Sequence, residues 1–398
     1  MSWIVGNFRV LLITWLMFSF GFGVYGNYFQ LFLRGLGASD VEIGLGFSVF
    51  FAASVLGLVA GYALSDVYGR ANVVRKATFL VSLPPLLYAL SQDYRVVILF
   101  MGVEGFFAFY HPALLALSQD SMPTLHAGKG FALSQLTVIA SVPAPLIGGY
   151  FYASQGISGL RYAMVVTFLI AISASVYRYY RLKETLSTKT TNPTTFTRTI
   201  SRSFTDFPAS FRLLSSSMIL LLLSALTLNL AARALITVGP LYLLDYSVVD
   251  KSLIGFFIST AQVIASFLAL MVGRFLDRSR KPQRIATVTY LLIPLSAVLF
   301  LLSKNPLSIF PAILLSVGGL GFYLHDFYKL RLFPADSRAN LNALFLFAIE
   351  VSGVAASALG GFLYTLSTTL LFVFAGIAFL GSAGFFARMA LSRRIVTA

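Results

Sequence analysis

A few ionisable residues stand inside long apolar runs of this chain, and they limit the chemistry it can perform. Glu104 lies in "MGVEG" about nine residues into its run, roughly 14 Å deep at 1.5 Å per residue. His111 follows seven positions later, which places it on the same face of a continuous α-helix. Glu350 is similarly deep in a later run, and Arg233 stands toward the outer part of another. His325 and Asp326 lie about one turn inside the end of theirs. Ionisable groups at membrane depth are costly and mark functional sites. A carboxylate withdrawn from water favours its neutral form, so Glu104 and Glu350 are candidates for proton uptake near neutral pH. His111 is a further candidate on the Glu104 face. Arg233 keeps its proton and needs an acidic or carbonyl partner, or an anionic substrate. The competing reading, for each, is a polar group bonded to a neighbouring helix to hold a bundle together. His325 and Asp326 read as a gate or an interdomain ion pair rather than as substrate ligands.

Other chemistries lack their residues. The histidines and carboxylates have no metal-ligand spacing. No Ser-His-Asp arrangement is supported, and no G-x-x-x-x-G-K-[ST] phosphate loop occurs. The chain is expected to need no cofactor and no metal, and not to be an enzyme.

The elements that must position these groups follow from composition. Of 398 residues, 58% are hydrophobic and only 11% are charged. A soluble domain carries about 25% charge. The apolar residues come in blocks of membrane-span length. Alternation over about ten residues, the mark of a membrane barrel, is absent, so helices must satisfy the backbone in lipid. Breaks at Gly, Pro, Asn and charged clusters delimit twelve spans, at 9–33, 41–64, 74–91, 95–118, 129–152, 159–182, 213–244, 252–273, 284–303, 306–328, 339–364 and 368–390. The first is too long for a signal peptide and lacks a cleavage site. The expectation is an all-α membrane protein of two six-helix bundles. These are residues 1–183 and 213–398, joined by a cytoplasmic connection over 184–212.

The net charge of +15 points to membrane orientation, not to nucleic acid. With both termini placed inside the cell, 23 Lys and Arg fall in inner loops and five in outer ones, with Arg233 in a span. That split obeys the positive-inside rule. The inner tally includes seven from Arg178 to Arg212. In the central connection, Phe196, Ile200, Phe204 and Phe207 fall at helical spacing with Arg198 and Arg202 between them. This predicts a short amphipathic helix on the inner leaflet. There is no cysteine, hence no disulfide and no thiol chemistry.

The two halves are related. Asp277 stands 211 positions after Asp66, Ile254-Gly255 after Ile43-Gly44, Ser259 after Ser48, and Pro334 after Pro123. Gly360-Gly361 follow Gly148-Gly149 at 212. Repeated matches at one offset are the mark of a duplicated six-helix unit, a known transporter plan.

With those residues in view, the chain resembles the major facilitator superfamily over nearly its whole length. That family carries G-x-L-A-D-R-x-G-R-[KR] after its second helix. Leu64, Ser65, Asp66, Gly69 and Arg70 fit it, Val67 replaces the arginine, and Gly61 lies one position early. In the second half Gly273, Asp277, Arg278 and Lys281 fit, with Arg280 where a glycine is expected. The resemblance implies that Asp66, Gly69 and Arg70, with Asp277 and Arg278, form a cytoplasmic latch favouring the outward-open state. "APLIGG", Ala144 to Gly149, is similar to the G-P-x-x-G-G of proton-driven antiporters, carried here by Pro145, Gly148 and Gly149. The family's fourth-helix R-x-x-Q-G is altered. Met101 stands at the arginine and Glu104 at the glutamine, so coupling cannot use that arginine. Asn27, Gln30 and Asn229 lie in the first and seventh helices, which line the central cavity in this family.

The implied function is proton-coupled export of a hydrophobic or amphipathic small molecule by alternating access. Alternatives are import of a polar metabolite such as a sugar or organic anion, and a non-transporting membrane sensor. The expected partners are a small-molecule substrate, protons and membrane lipid, with no nucleic acid. The chain is expected to act as a monomer in the plasma membrane.

Overall fold

The computed structural model describes residues 5–61, 64, 68–121, 143–185, 211–246, 250–251, 253–279, 281–302, 305–317, 320–334 and 338–391. Among them every regular element is helical. Among the described residues nine stretches are long and apolar enough to cross a membrane: 6–35, 40–61, 70–90, 94–118, 143–181, 216–245, 282–302, 341–366 and 368–390.

The breaks inside these stretches follow the sequence. The first holds α1 (Gly6–Gly26) and α2 (Phe29–Gly35), parted at Asn27 and Tyr28. After α3 (Asp40–Gly61), α4 (Arg70–Ser82) ends where Pro84 and Pro85 begin α5 (Pro84–Leu90). α6 (Tyr94–Phe106) passes through a 3₁₀ turn at Phe107–Tyr110 into α7 (His111–Ser121). Pro112 has no N–H for the Ala108 carbonyl and its ring crowds that carbonyl, so the turn tightens just ahead of it. α8 (Pro143–Arg181) is interrupted at Gly156, whose φ of +59° is a left-handed conformation that favours glycine. Its legs turn back on each other there, close enough that a Cβ on Gly159 would collide with the Phe151 carbonyl.

The remaining helices are α9 (Ser216–Asp245), α10 (Ile254–Arg278), α11 (Pro282–Leu291), α12 (Leu295–Leu302), α13 (Pro306–Val317), α14 (Leu320–Leu332), α15 (Arg338–Leu366) and α16 (Thr368–Ala390). Ser215 caps α9, its hydroxyl accepting from the Met218 N–H at 3.4 Å.

Contacts group the chain into two units. Residues 1–37 and 49–208 form the first; residues 38–48 and 209–398 form the second. In the first, α1 packs along α8, and Val10, Leu11, Ala71, Val74, Tyr110, Leu114 and Leu117 build one apolar core. In the second, α9 packs along α15 and α16. The first turns of α3 also belong to the second unit, where Ser48 donates to the Val354 carbonyl at 2.7 Å.

The duplication is visible in the packing. A Cβ on Gly148 would run into the Val24 carbonyl oxygen, and one on Gly360 would sit 2.6 Å from the Ala234 carbonyl oxygen. Gly360 follows Gly148 by 212 positions and Ala234 follows Val24 by 210, so each half repeats one glycine-on-backbone crossing. Small residues let helix backbones approach where lipid supplies no hydrophobic drive.

Candidate functional site

Glu104 sits on α6 with its carboxylate turned inward. The Tyr88 hydroxyl, from α5, donates to its Oε2, and Tyr25 of α1 lies within electrostatic reach. Phe29 joins the two tyrosines, its ring 5.8 Å from Tyr25 and 5.0 Å from Tyr88. Tyr25, Phe29 and Tyr88 are all buried. The carboxylate is thus held in an aromatic corner by a neutral donor instead of a cation. Met101, at the family's arginine position, is buried one turn away.

The 3₁₀ turn changes the register between Glu104 and His111, since four residues at 3.0 per turn rotate the chain roughly 80° further than four at 3.6. His111 is exposed, with its ring 4.7 Å from that of Tyr110.

A second polar centre in this unit involves a residue that loop counting misplaces. Arg178, near the end of α8, is 1% exposed. Its Nε donates to Thr14 Oγ1 at 2.8 Å and its Nη1 to Thr78 Oγ1 at 3.3 Å. Its guanidinium stacks 4.9 Å from the Phe18 ring, and the Tyr110 hydroxyl lies beside it. Arg178 is therefore not one of the inner loop charges. It is a cation inside the bundle, bonded to neutral oxygens from three other helices. The signal was the threonine alone in each facing apolar run, together with an arginine that precedes its loop by a turn.

The second unit has a matching centre without a fixed charge. Ser224 of α9, Tyr290 of α11, His325 of α14 and Ser382 of α16 are all buried. His325 Nε2 lies 3.0 Å from Ser224 Oγ and 3.2 Å from the Tyr290 hydroxyl, which lies 2.6 Å from Ser382 Oγ. Ser224 follows Thr14 by 210 positions and Tyr290 follows Thr78 by 212, so both centres use equivalent places in the repeat. His325 thus joins a knot internal to its own unit. Asp326 bonds to Lys329 at 2.9 Å on the same helix.

Asn229, Arg233 and Glu350 come together in the second unit. Asn229 donates through Nδ2 to the Ile349 carbonyl and to Ser352 Oγ, both at 2.8 Å. Its Oδ1 accepts from Arg233 Nε at 3.4 Å. Glu350 is within Coulombic range of the Arg233 guanidinium, and its buried Oε2 has no hydrogen-bond partner among the described residues. Asn229 is committed to holding α15. The charged pair beside it is the part of this cluster equipped to change partners.

At one rim of the first unit, Arg70 Nη1 pairs with the Asp120 carboxylate. Glu184 accepts from the backbone N–H groups of Arg70 at 3.1 Å, Ala71 at 3.4 Å and Asn72 at 3.3 Å, so it caps α4. Gly69 is needed twice over. Its φ is +87°, and a Cβ there would sit 2.5 Å from Glu184 Oε2. Thr185 donates to Asp120 at 2.7 Å, and Lys183 and Asn7 exchange two bonds of 2.7 Å. The start of the central connection is strapped to this rim. Asp66, the amphipathic stretch of that connection and the side chain of Asp277 lie outside the described residues. Arg278 is exposed at the end of α10.

The other expected residues lie at helix ends and crossings of the first unit. Asn27 ends α1, half-buried, and Gln30 is buried in α2. The Pro145 carbonyl accepts from the Tyr28 hydroxyl at 3.3 Å and Gly148 meets Val24. The APLIGG segment of α8 is thus bound to the first span.

All-helical membrane-length elements, a repeated half and polar centres inside the bundles define a multi-pass membrane transporter. The sequence profile of the Major Facilitator Superfamily matches residues 11–325, and the chain belongs to that family. An uncharacterised transporter of this type, MJ1560 from Methanocaldococcus jannaschii, is 24% identical over 277 residues, covering 68% of this chain and 69% of its own. The crystal structure of the nucleoside transporter NupG aligns with a TM-score of 0.71 at 14% identity, covering 97% of this chain and all of that one. A bacterial homologue of the human lysosomal transporter Spinster, inward-facing and occupied, aligns at 0.68 and 14% identity, covering 96% and 93%. At such identities the likeness is one of fold.

Proposed function

We propose that this transporter exports a hydrophobic or amphipathic small molecule in exchange for protons, with Glu104 as the proton-carrying group. The observation that supports this is the Glu104 carboxylate in its corner of Tyr25, Phe29 and Tyr88, bonded to a hydroxyl. A carboxylate in an aromatic corner, with no cation beside it among the described residues, is built to exchange a proton. In this reading the chain has twelve spans in two six-helix bundles, sits in the plasma membrane with both termini inside and acts as a monomer. Asp66, Gly69, Arg70, Asp277 and Arg278 form its cytoplasmic latch.

A second reading has its own support. Arg233 beside Glu350 offers a cation to a polar or anionic metabolite, with Glu350 giving up the contact. The two are separated by purified protein in proteoliposomes, challenged with a panel of amphipathic amines, sugars, nucleosides and organic acids. An imposed pH gradient should drive accumulation of an amphipathic compound against its own gradient, with opposite proton movement. Co-directional proton movement with a polar solute, or transport indifferent to the gradient, overturns the export reading.

A further inference from the structure

We infer that Arg178 is a positioning residue for Glu104, acting through the stretches of chain that carry both centres. The inference rests on the reading of Glu104 as the proton-carrying group. Three stretches meet at the buried Arg178 guanidinium. The first span brings Thr14 on α1, which accepts from Nε at 2.8 Å. The stretch of α4 and α5 brings Thr78, which accepts from Nη1 at 3.3 Å. The 3₁₀ turn after α6 brings Tyr110, whose hydroxyl lies beside the guanidinium. The same three stretches build the Glu104 corner. Tyr25 follows Thr14 by eleven residues, Tyr88 follows Thr78 by ten, and Tyr110 follows Glu104 by six. Eleven residues of helix span about 16 Å. The two centres are thus two levels on one set of elements.

Packed side chains fill the distance between the levels. On α1, Thr14, Phe18, Phe22 and Tyr25 recur every three or four residues and share a face. The guanidinium stands 4.9 Å from the Phe18 ring, Phe18 stacks on Phe22 at 6.2 Å, and Phe22 meets Tyr25 at 6.0 Å. On α4, Ser82 lies one turn beyond Thr78, and its hydroxyl shares a 2.7 Å hydrogen bond with Ser175 of α8. Tyr110 is within electrostatic reach of both Arg178 and Glu104. A planar guanidinium donates in several fixed directions at once, which a compact ammonium does not. Arg178 therefore fixes the rotation and height of all three stretches, and with them the spacing of Tyr25, Tyr88 and Glu104. Groups that exchange a proton tolerate little misplacement. The repeat suggests the substitution that tests this: Met389, 211 positions after Arg178, is fully buried at the equivalent place in the second unit.

Infrared difference spectra of the full chain in proteoliposomes, taken over a pH series, follow the Glu104 carboxyl directly. Its band is the one lost in Glu104→Gln. Arg178→Met should move the midpoint of that band by about one pH unit or more. Arg178→Lys restores the charge but not the fork, and should leave most of the shift in place. Tyr110→Phe, which keeps the ring, should move the midpoint part of the way. A midpoint unchanged in Arg178→Met, with only the melting temperature lowered, reduces Arg178 to packing and overturns the inference. Full recovery in Arg178→Lys, or no titrating band that Glu104→Gln removes, overturns it as well. Where Arg178→Met fails to fold by circular dichroism, Tyr110→Phe decides, and an unmoved band in that variant is the overturning result. Proton movement measured in the same proteoliposomes separates the two readings. Coupling that survives Glu104→Gln fails the proton-carrying reading, whatever the band does. Coupling lost in Glu104→Gln, with the band unmoved in Arg178→Met, fails the positioning role alone.

Discussion

Arg178 Nε donates to Thr14 Oγ1 at 2.8 Å, joining the end of one span to the middle of another inside the first unit. The guanidinium is buried and its bonds to Thr14 and Thr78 go to neutral oxygens, so each bond offsets part of a large desolvation cost. Thr14→Val keeps the shape and removes the acceptor. Leaving a buried charged donor short of a partner costs about 1–3 kcal/mol. Thermal unfolding of the detergent-solubilised variant should therefore fall by several degrees. Thr14→Val combined with Thr78→Val should show a coupling energy, since both threonines serve one cation. Strict additivity would mean that Arg178 finds other partners.

The glycine crossings predict a sharp contrast among substitutions that look alike in sequence. Gly148→Ala and Gly61→Ala force a methyl into a carbonyl oxygen, of Val24 and Phe109 respectively. Overpacking of this kind costs about 1–3 kcal/mol. Gly239→Ala and Gly384→Ala meet nothing within 4 Å, and replacing a helical glycine there is neutral or favourable. Folded yield and melting temperature should separate the two pairs. Equal behaviour would show that the helices slide apart at no cost.

Much of this was legible in the sequence, and the omissions have physical causes. The nine described membrane-length stretches follow from composition, because lipid leaves a helix few alternatives. The helical breaks fall at prolines and glycines that can be read directly. What Pro112 does to the facing of His111 is less legible, since one 3₁₀ turn alters the register of everything beyond it. Arg178 was hidden because charge counting treats any basic residue near a span end as loop. The knot of Ser224, Tyr290, His325 and Ser382 was hidden because its members are 35 to 158 positions apart. No local pattern brings such residues together. The packing of four helices does.

The rim yields a prediction about the proposed latch. Glu184 accepts from three backbone N–H groups at the start of α4, beside Arg70. Removing a cap costs about 1 kcal/mol, at an exposed end somewhat less. Glu184→Ala should loosen Arg70 from Asp120 and raise amide exchange over Arg70 to Val74, with the deeper part of α4 unchanged. Gly69→Ala should do the same more strongly, because it adds strain at φ +87° to the clash with Glu184. Exchange confined to wild-type levels in both variants would remove Glu184 as the element that orders this rim.

The Tyr88 hydroxyl separates a coupling role for Glu104 from a structural one. If Glu104 only ties α6 to α5, then Glu104→Gln keeps a hydrogen-bonding group for Tyr88 and transport should survive. If Glu104 carries the proton, Glu104→Gln should abolish proton-coupled movement while sparing substrate exchange across the membrane. Tyr88→Phe removes the donor but keeps the acid. Loss of one hydrogen bond to a charged group is worth about 1.5–3 kcal/mol. It weakens the ionised form of Glu104 and should slow the coupled rate roughly tenfold or more, each tenfold corresponding to 1.4 kcal/mol. Glu350→Gln, tested alongside, should leave the Glu104-dependent coupled rate in place if the two carboxylates act separately. Glu104→Gln proteoliposomes that still move protons with substrate would assign the hydrogen bond to packing alone.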